Sequence, residues 1–251
     1  MIILYFSGTG NTKHLSERFA EIMKSTSYSI EDNEDFEGLI SRNETIAFCY
    51  PIYGSCVPEI MRDFVLKNKV GLKGKNLIIF CTQMLFSGDG ARVFTELIED
   101  IDVNIVYAEH FNMPNNICNF FLLPVKSREK ARRALEKADR KLLKTCNYIE
   151  NGKVNKRWFN IFSKYVGLIS QRMYFSVIEK KAKKDVRISS DCNSCGKCVQ
   201  VCPRNNLEIH DNKISQRGKC TLCYRCVNIC PQKAITVLLH TRVKKQYILD
   251  A

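Results

Sequence analysis

The stretch YFSGTGNTK, Tyr5 to Lys13, stands directly behind the apolar residues Met1–Leu4 and decides how the first half of the chain reads. An apolar strand runs into a turn rich in glycine and hydroxyls and then into an amphipathic helix. Such a unit holds phosphate, because main-chain N–H groups and the positive helix end face one point. Spacing narrows the choice of phosphate. A triphosphate loop places lysine directly behind its last glycine, whereas Lys13 follows Asn11 and Thr12. A dinucleotide loop needs a third glycine at position 13, where lysine stands. What remains is a lysine-free cradle, Ser7-Gly8-Thr9-Gly10-Asn11-Thr12, suited to a phosphate dianion. The plainer reading is a Ser/Thr-rich turn that only caps the helix.

Working outward, apolar runs at 2–6, 45–50, 76–82 and 103–111, with a weaker one at Tyr28–Asp32, alternate with amphipathic segments at Thr12–Lys24, Pro58–Asn68 and Ala91–Asp100. Continuous β-rich runs separated by helices are strands of a parallel sheet covered on both faces, so the pattern predicts a five-stranded, doubly wound parallel α/β sheet. Ligands of such sheets sit at the carboxyl ends of the strands, near the reversal of strand order, and the Ser7–Thr12 turn lies at such an end. At 251 residues with 45% hydrophobic content the chain has room for two modest domains. No apolar run approaches the ~20 residues needed to cross a bilayer. The opening MIILYF has no basic front and is too short for a signal peptide, so a cytoplasmic protein is expected.

The turn S-G-T-G-N-T after the first strand resembles the FMN-phosphate loop of flavodoxins, and the strand pattern extends the resemblance over residues 1–150. The resemblance implies a flavodoxin-like fold with a flavin ring between the loops behind the third and fourth strands. In the first loop, 51–58, Pro51, Tyr53 and Gly54 are the expected contacts. Tyr53 would stack on the ring, and Gly54 has the backbone freedom to turn its carbonyl toward flavin N5. In the second, 82–90, main-chain groups near Thr82 and Gln83 would meet the polar edge of the ring, and Asp89 reads as the N-cap of the following helix. This loop departs from that of simple flavodoxins, which usually place a stacking tyrosine and acidic residues here. A further departure is NMPNNICNFFLLP, Asn112–Pro124, an apolar insertion placed to roof the flavin or to pack on a second domain. Cys56 reads as a small buried thiol.

Behind Pro124, Lys126–Glu150 reads as a long helix that closes the first domain, and Asn151-Gly152 ends it. Residues 151–187 follow as a basic, amphipathic helical connector. Trp158, Phe162, Tyr165, Ile169 and Met173 fall on one face, and Asn160, Lys164, Gly167 and Gln171 on the other. The width of the apolar stripe predicts a face buried between domains. Lys180–Arg187 reads as a polar, basic linker. The net charge of +13 is concentrated in this region: residues 1–124 carry −6, residues 125–190 carry +13 and residues 191–251 carry +6. Such a stripe is a solvated helix face, a docking surface for an acidic redox partner, or a peripheral membrane contact through 158–181. No nucleic-acid reading module accompanies the charge, so nucleic acid is not expected as a partner.

Eight of the thirteen cysteines fall within residues 192–230, as two copies of one pattern offset by 28 residues. They read Cys192-x2-Cys195-x2-Cys198-x3-Cys202-Pro203 and Cys220-x2-Cys223-x2-Cys226-x3-Cys230-Pro231. An odd total, and the reduced thiols expected without export, argue for metal ligands over disulfides. Paired C-x2-C units also build zinc sites, but the third cysteine and the x3-Cys-Pro ending belong to the iron–sulfur pattern. Each loop aims three thiolates at one cube, and its fourth cysteine reaches the other. On that rule one 4Fe-4S cluster takes Cys192, Cys195, Cys198 and Cys230, and the second takes Cys202, Cys220, Cys223 and Cys226. Residues 188–240 thus resemble a bacterial ferredoxin, a small α+β domain with two 4Fe-4S clusters, and 241–251 form a tail. Few apolar residues separate the cysteines, so the clusters are expected to serve as the core of this small domain.

Iron–sulfur clusters pass single electrons, whereas a flavin takes one or two. As a whole the chain resembles the flavodoxin–ferredoxin fusion proteins of anaerobes. The resemblance implies an oxidoreductase that relays single electrons between two 4Fe-4S clusters and FMN and reduces an acceptor at the flavin. The alternative is a non-catalytic electron carrier that docks on a redox partner protein. No catalytic dyad is expected: His14, His110, His210 and His240 stand apart in the sequence and read as structural. No nicotinamide site is evident.

Overall fold

The computed structural model describes residues 1–120 and 122–249. Strands β1 (Ile2–Tyr5), β2 (Thr26–Ser29), β3 (Thr45–Pro51), β4 (Asn76–Gln83) and β5 (Asn104–Asn112) form a parallel sheet in the order β2-β1-β3-β4-β5. The inner strands are apolar on both sides and so feed two cores. Phe48, Tyr50 and Ile79 face one, beneath helices α2 (Phe36–Ser41), α3 (Glu59–Lys67) and α4 (Gly90–Thr95). Ala47, Ile78 and Phe80 face the other, beneath α1 (Asn11–Ile22) and α5 (Arg128–Glu150). Strand order reverses between β1 and β3, so the turn after β1 and the loops after β3 and β4 meet at one end of the sheet.

A sixth strand, β6 (Asn155–Lys156), extends the five expected ones by pairing with Tyr107 and Ala108 of β5. Two polar residues carry no alternation, which is why the sequence does not announce it. Next comes one helical rod: α6 (Ile161–Gly167), a wide i→i+5 turn over Leu168–Arg172, and α7 (Met173–Lys183). Helix therefore occupies the first part of the expected Lys180–Arg187 linker, and β7 (Val186–Ile188) its end.

The rod is amphipathic as expected, but its orientation is the reverse of the expected one. Its inward face is Ser163, Gly167, Phe175 and Ala182, all buried. The stripe expected to be buried faces outward, with Phe162 71% and Ile169 60% exposed. Close backbone contact decides this. A Cβ added to Gly88 would stand 2.6 Å from Cα of Gly167, so only the small-residue face of the rod fits against the loop after β4.

The carboxyl-terminal unit pairs β7 with β10 (Ile235–Val237) in antiparallel fashion. Between them lie α8 (Lys197–Gln200), a hairpin of β8 (Leu207–His210) and β9 (Lys213–Gln216), and α9 (Arg225–Ile229). Cys198, Cys220, Cys226 and Cys230 sit in this unit's own apolar core, whereas Cys223 packs into the core of the large sheet.

Candidate functional site

β1 delivers the Ser7–Thr12 turn, and Gly10, at φ +97°, swings the chain into α1 through a left-handed conformation that a side chain would strain. Ser7, Thr9 and Thr12 are buried. The Thr12 hydroxyl lies 2.8 Å from that of Thr82, Asn116 Nδ2 donates to Thr9 Oγ1 at 3.0 Å, and Asn11 Nδ2 donates to the Pro114 carbonyl at 2.9 Å. The first turn of α1 holds no acidic residue, and among the described residues no side chain caps it. Its leading N–H groups and positive dipole thus suit an anion.

A cavity of about 270 Å³ opens beside this turn. Every flavin contact expected from the sequence lines it except Gly10, which faces a second concavity on the outer side of the turn. Residues not anticipated also line it, among them Met84, Met113, Phe120, Phe175, Leu222 and Tyr224. Met113 and Phe120 belong to the 112–124 insertion, whose apolar character was the available signal. That insertion both walls the cavity and packs on the cysteine-rich unit, where Asn119 Nδ2 donates to the Val237 carbonyl at 2.9 Å. Phe121 of the insertion lies outside the described residues. No local pattern pointed to Phe175, Leu222 or Tyr224, because they come from distant segments.

Gly54 at φ +55° and Ser55 at φ +62° form a two-residue reverse turn, closed by mutual hydrogen bonds between Tyr53 and Cys56 of 3.2 and 3.0 Å. Phe175 fills the space where a Gly54 Cβ would be. The Tyr53 hydroxyl is buried beside Gly8 and has no hydrogen-bond partner among the described residues. Asp89 holds the N-cap position of α4, but its side chain does not cap that helix as expected. Instead the fully buried carboxylate takes Arg92 Nε at 2.5 Å and the Arg172 guanidinium, which ties the helical rod to the loop after β4.

The two units touch at the Ser7–Thr12 turn itself. A Cβ on Gly8 would stand 2.5 Å from the Cys223 carbonyl oxygen. Arg225, two residues on, donates from Nη2 to Ser7 O at 2.6 Å and from Nε to Gly8 O at 3.0 Å, and pairs with Glu31 at 2.8 Å. The tail then folds back over the same turn: Tyr247 Oη donates to Asn11 Oδ1 at 2.6 Å and Leu249 N–H to Thr9 O at 2.9 Å.

The two cysteine motifs adopt one backbone twice. Ser194 and Leu222, each two residues past the first cysteine, are left-handed, as are Gly196 and Tyr224 four residues past it. Asn205 and Lys233, three residues beyond each Cys-Pro cysteine, repeat the match. Asn206 N–H donates to Cys202 Sγ at 3.2 Å, and Ala234 N–H to Cys230 Sγ at 3.3 Å. Left-handed residues set into a loop turn main-chain N–H groups inward, the arrangement found around phosphates and iron–sulfur groups. Cys198 lies within electrostatic reach of Cys192 and Cys230, and Cys220 and Cys223 within reach of Cys202. Among the described residues no three His, Cys, Asp or Glu side chains surround one metal-ion position. A cubane takes one thiolate at each iron corner and so does not need such convergence.

The isolated histidines have structural partners. His14 Nε2 meets Asp139 at 2.8 Å, and His240 lies between Asp185 and Thr236, each at 2.9 Å.

A family model described as a flavodoxin domain matches residues 2–166, more than half of the chain. The chain belongs to the flavodoxin family. A second model, a 4Fe-4S dicluster domain, matches residues 184–231 and takes in all eight motif cysteines. A search of the curated proteins gave no match. Solved structures similar to this flavodoxin-family chain include the two-electron reduced flavodoxin of Megasphaera elsdenii, 21% identical over 56% of this chain and 99% of that one, at a TM-score of 0.40. A flavodoxin from the domain Archaea is 16% identical over 59% of this chain and 97% of that one, at 0.39. The Trp repressor binding protein of Bacillus subtilis is 14% identical over 56% and 96%, at 0.40. The flavodoxin domain implies FMN and the dicluster domain iron–sulfur clusters, so the chain is an electron-transfer flavin and iron–sulfur protein that serves a redox partner. Among the described residues no helix is long and apolar enough to cross a membrane.

Proposed function

We propose that this protein is an oxidoreductase that relays single electrons between two 4Fe-4S clusters and FMN and exchanges them with an acceptor at the flavin. One observation carries the reading: a single cavity has the Ser7–Thr12 turn on one wall and Leu222 and Tyr224, the neighbours of Cys223, on another. In this reading Cys192, Cys195, Cys198 and Cys230 hold one cluster. Cys202, Cys220, Cys223 and Cys226 hold the second, which lies beside the flavin. When bound, the clusters supply one-electron steps and the flavin one- or two-electron steps.

The part played by the protein is placement. Ser7–Thr12 and the amino end of α1 hold the phosphate, Tyr53 meets the ring face, and Thr82 and Gln83 meet its polar edge. Met113, Phe120 and Phe175 keep water from the ring, and Arg225 keeps the two units in register. Residues 1–150 serve as the flavin domain, 151–187 as connector, 188–240 as the cluster domain and 241–251 as a tail that straps the phosphate turn.

The test is anaerobic reconstitution with FMN, iron and sulfide, followed by rapid mixing with a one-electron donor while visible absorbance and EPR are recorded. The expected result is transfer between cluster and flavin at a rate independent of protein concentration. Exchange that speeds up with protein concentration, or material that retains zinc and refuses FMN, overturns the reading. Turnover of small acceptors supports an oxidoreductase; reoxidation only by a protein partner would make the chain a carrier.

A further inference from the structure

The largest feature that the electron-transfer reading leaves unused is the outer face of the 161–183 rod. Ile161, Phe162, Tyr165, Ile169, Met173 and Val177 all stand more than half exposed along it. The steps from Tyr165 to Ile169, Met173 and Val177 are each four residues long, more than the 3.6 residues of an α-turn, so in a plain helix the row would spiral away. The wide turn over Leu168–Arg172 takes up the excess and keeps the row on one side. At its side lie Leu85 and Phe86, 60% and 41% exposed, where Gln171 Nε2 reaches the Phe86 carbonyl at 3.5 Å. A contiguous apolar face of this kind marks an interaction surface.

Charge selects the occupant. Residues 151–187 hold ten Lys and Arg against two acidic residues, a net +8. Both acids are already engaged, Glu179 with Arg62 at 2.6 Å and Asp185 with His240 at 2.9 Å. Lys164, Lys180 and Lys181 are exposed at the margins of the row. A second copy of the chain would bring the same exposed lysines, Lys164, Lys180 and Lys181, against themselves, which disfavours self-association. The row stands as a convex ridge on one helix. A fluid, anionic surface closes around such a ridge without needing a matching groove, with aromatic and aliphatic side chains in the interface and lysines among headgroups.

We propose that the 161–183 rod seats this protein on an anionic lipid bilayer, lying in the interface without spanning it. Leu85 and Phe86 follow Gln83 and Met84, which line the flavin cavity, so docking brings that mouth toward the lipid. This inference goes beyond the electron route and stands independently of it.

The test is flotation of the full-length holoprotein with two vesicle preparations, phosphatidylcholine alone and phosphatidylcholine with roughly 30 mol% phosphatidylglycerol. Binding is expected to the anionic vesicles only, to weaken with added salt, and to fall at least tenfold in the Phe162→Ser/Ile169→Ser double variant. Both side chains are exposed, and unchanged flavin and cluster absorbance would show that the variant is intact. No flotation with anionic vesicles at low salt overturns the proposal, as does flotation that the double variant leaves unchanged. A solution dimer that the same variant splits assigns the face to a second copy and also overturns it. Capture of an acidic protein without any vesicle binding does the same.

Discussion

Gly8 of the Ser7–Thr12 turn lies against the carbonyl of Cys223, so close that a side chain at position 8 would stand 2.5 Å from that oxygen. The glycine thus lets the cysteine loop approach the cavity, and in the proposed reading it also lets the turn wrap a phosphate.

Gly8→Ala should separate these two roles from the rest of the fold. The new methyl displaces the Cys223 loop, because the opposing atom is backbone and cannot rotate away. FMN affinity is expected to fall by about tenfold, or ~1.4 kcal/mol, and internal electron transfer to slow. FMN fluorescence titration reads the first effect and rapid-mixing absorbance the second.

Arg225 should matter as a shaped donor, and charge alone should not replace it. Its guanidinium serves Ser7 O and Gly8 O and meets Glu31. Arg225→Met leaves two main-chain acceptors and a carboxylate unserved, at an expected cost of about 2 kcal/mol. Arg225→Lys is expected to recover less than half of it, since one ammonium cannot span the three sites. Thermal unfolding of the reconstituted protein measures both.

Asp89 is fully buried between Arg92 and Arg172. Asp89→Asn removes the shared charge and leaves two poorly hydrated guanidinium groups, an expected loss of about 3 kcal/mol. Because Arg172 belongs to the helical rod, the variant should also be cut faster within 160–172 by a probing protease. Equal cutting rates in the two proteins would show that the ion pair does not anchor the rod.

His110 supplies a pH signature. Burial, with the Lys141 and Arg157 charges adding to it, holds this imidazole down at about 3. The unfolded chain takes up the proton near the ordinary value of 6.5, which the folded chain refuses until about 3. Stability is therefore complete above pH 6.5 and is lost as pH falls through that window, by about 1.4 kcal/mol per pH unit. Urea midpoints at pH 7 and pH 5 should show a drop of about 2 kcal/mol that His110→Gln largely removes.

Much of this was legible before any tertiary structure. Strands β1, β3 and β4 are apolar on both faces, and that composition alone makes them buried parallel strands. The cysteine motifs were legible for a similar reason, since ligand spacing within a few residues is a local property. Asp89 was misread because its place before α4 suits a cap, while the two arginines that claim its carboxylate both follow it in the sequence, one three residues on and the other in the distant rod. Leu222 and Tyr224 reach the cavity only through the docking of one unit on the other.

Residue order by itself determined the doubly wound sheet, the lysine-free Ser7–Thr12 turn and the paired cysteine framework, because each rests on periodicity or spacing over a short stretch. Tertiary structure alone decided which side of the 161–183 rod meets the protein and which cysteine loop abuts the turn. Those outcomes depend on backbone approach at Gly88 with Gly167 and at Gly8 with Cys223, contacts between segments far apart in the chain. The amphipathic pattern marks two faces of a helix, and the closeness that a neighbouring backbone demands selects the one that turns inward.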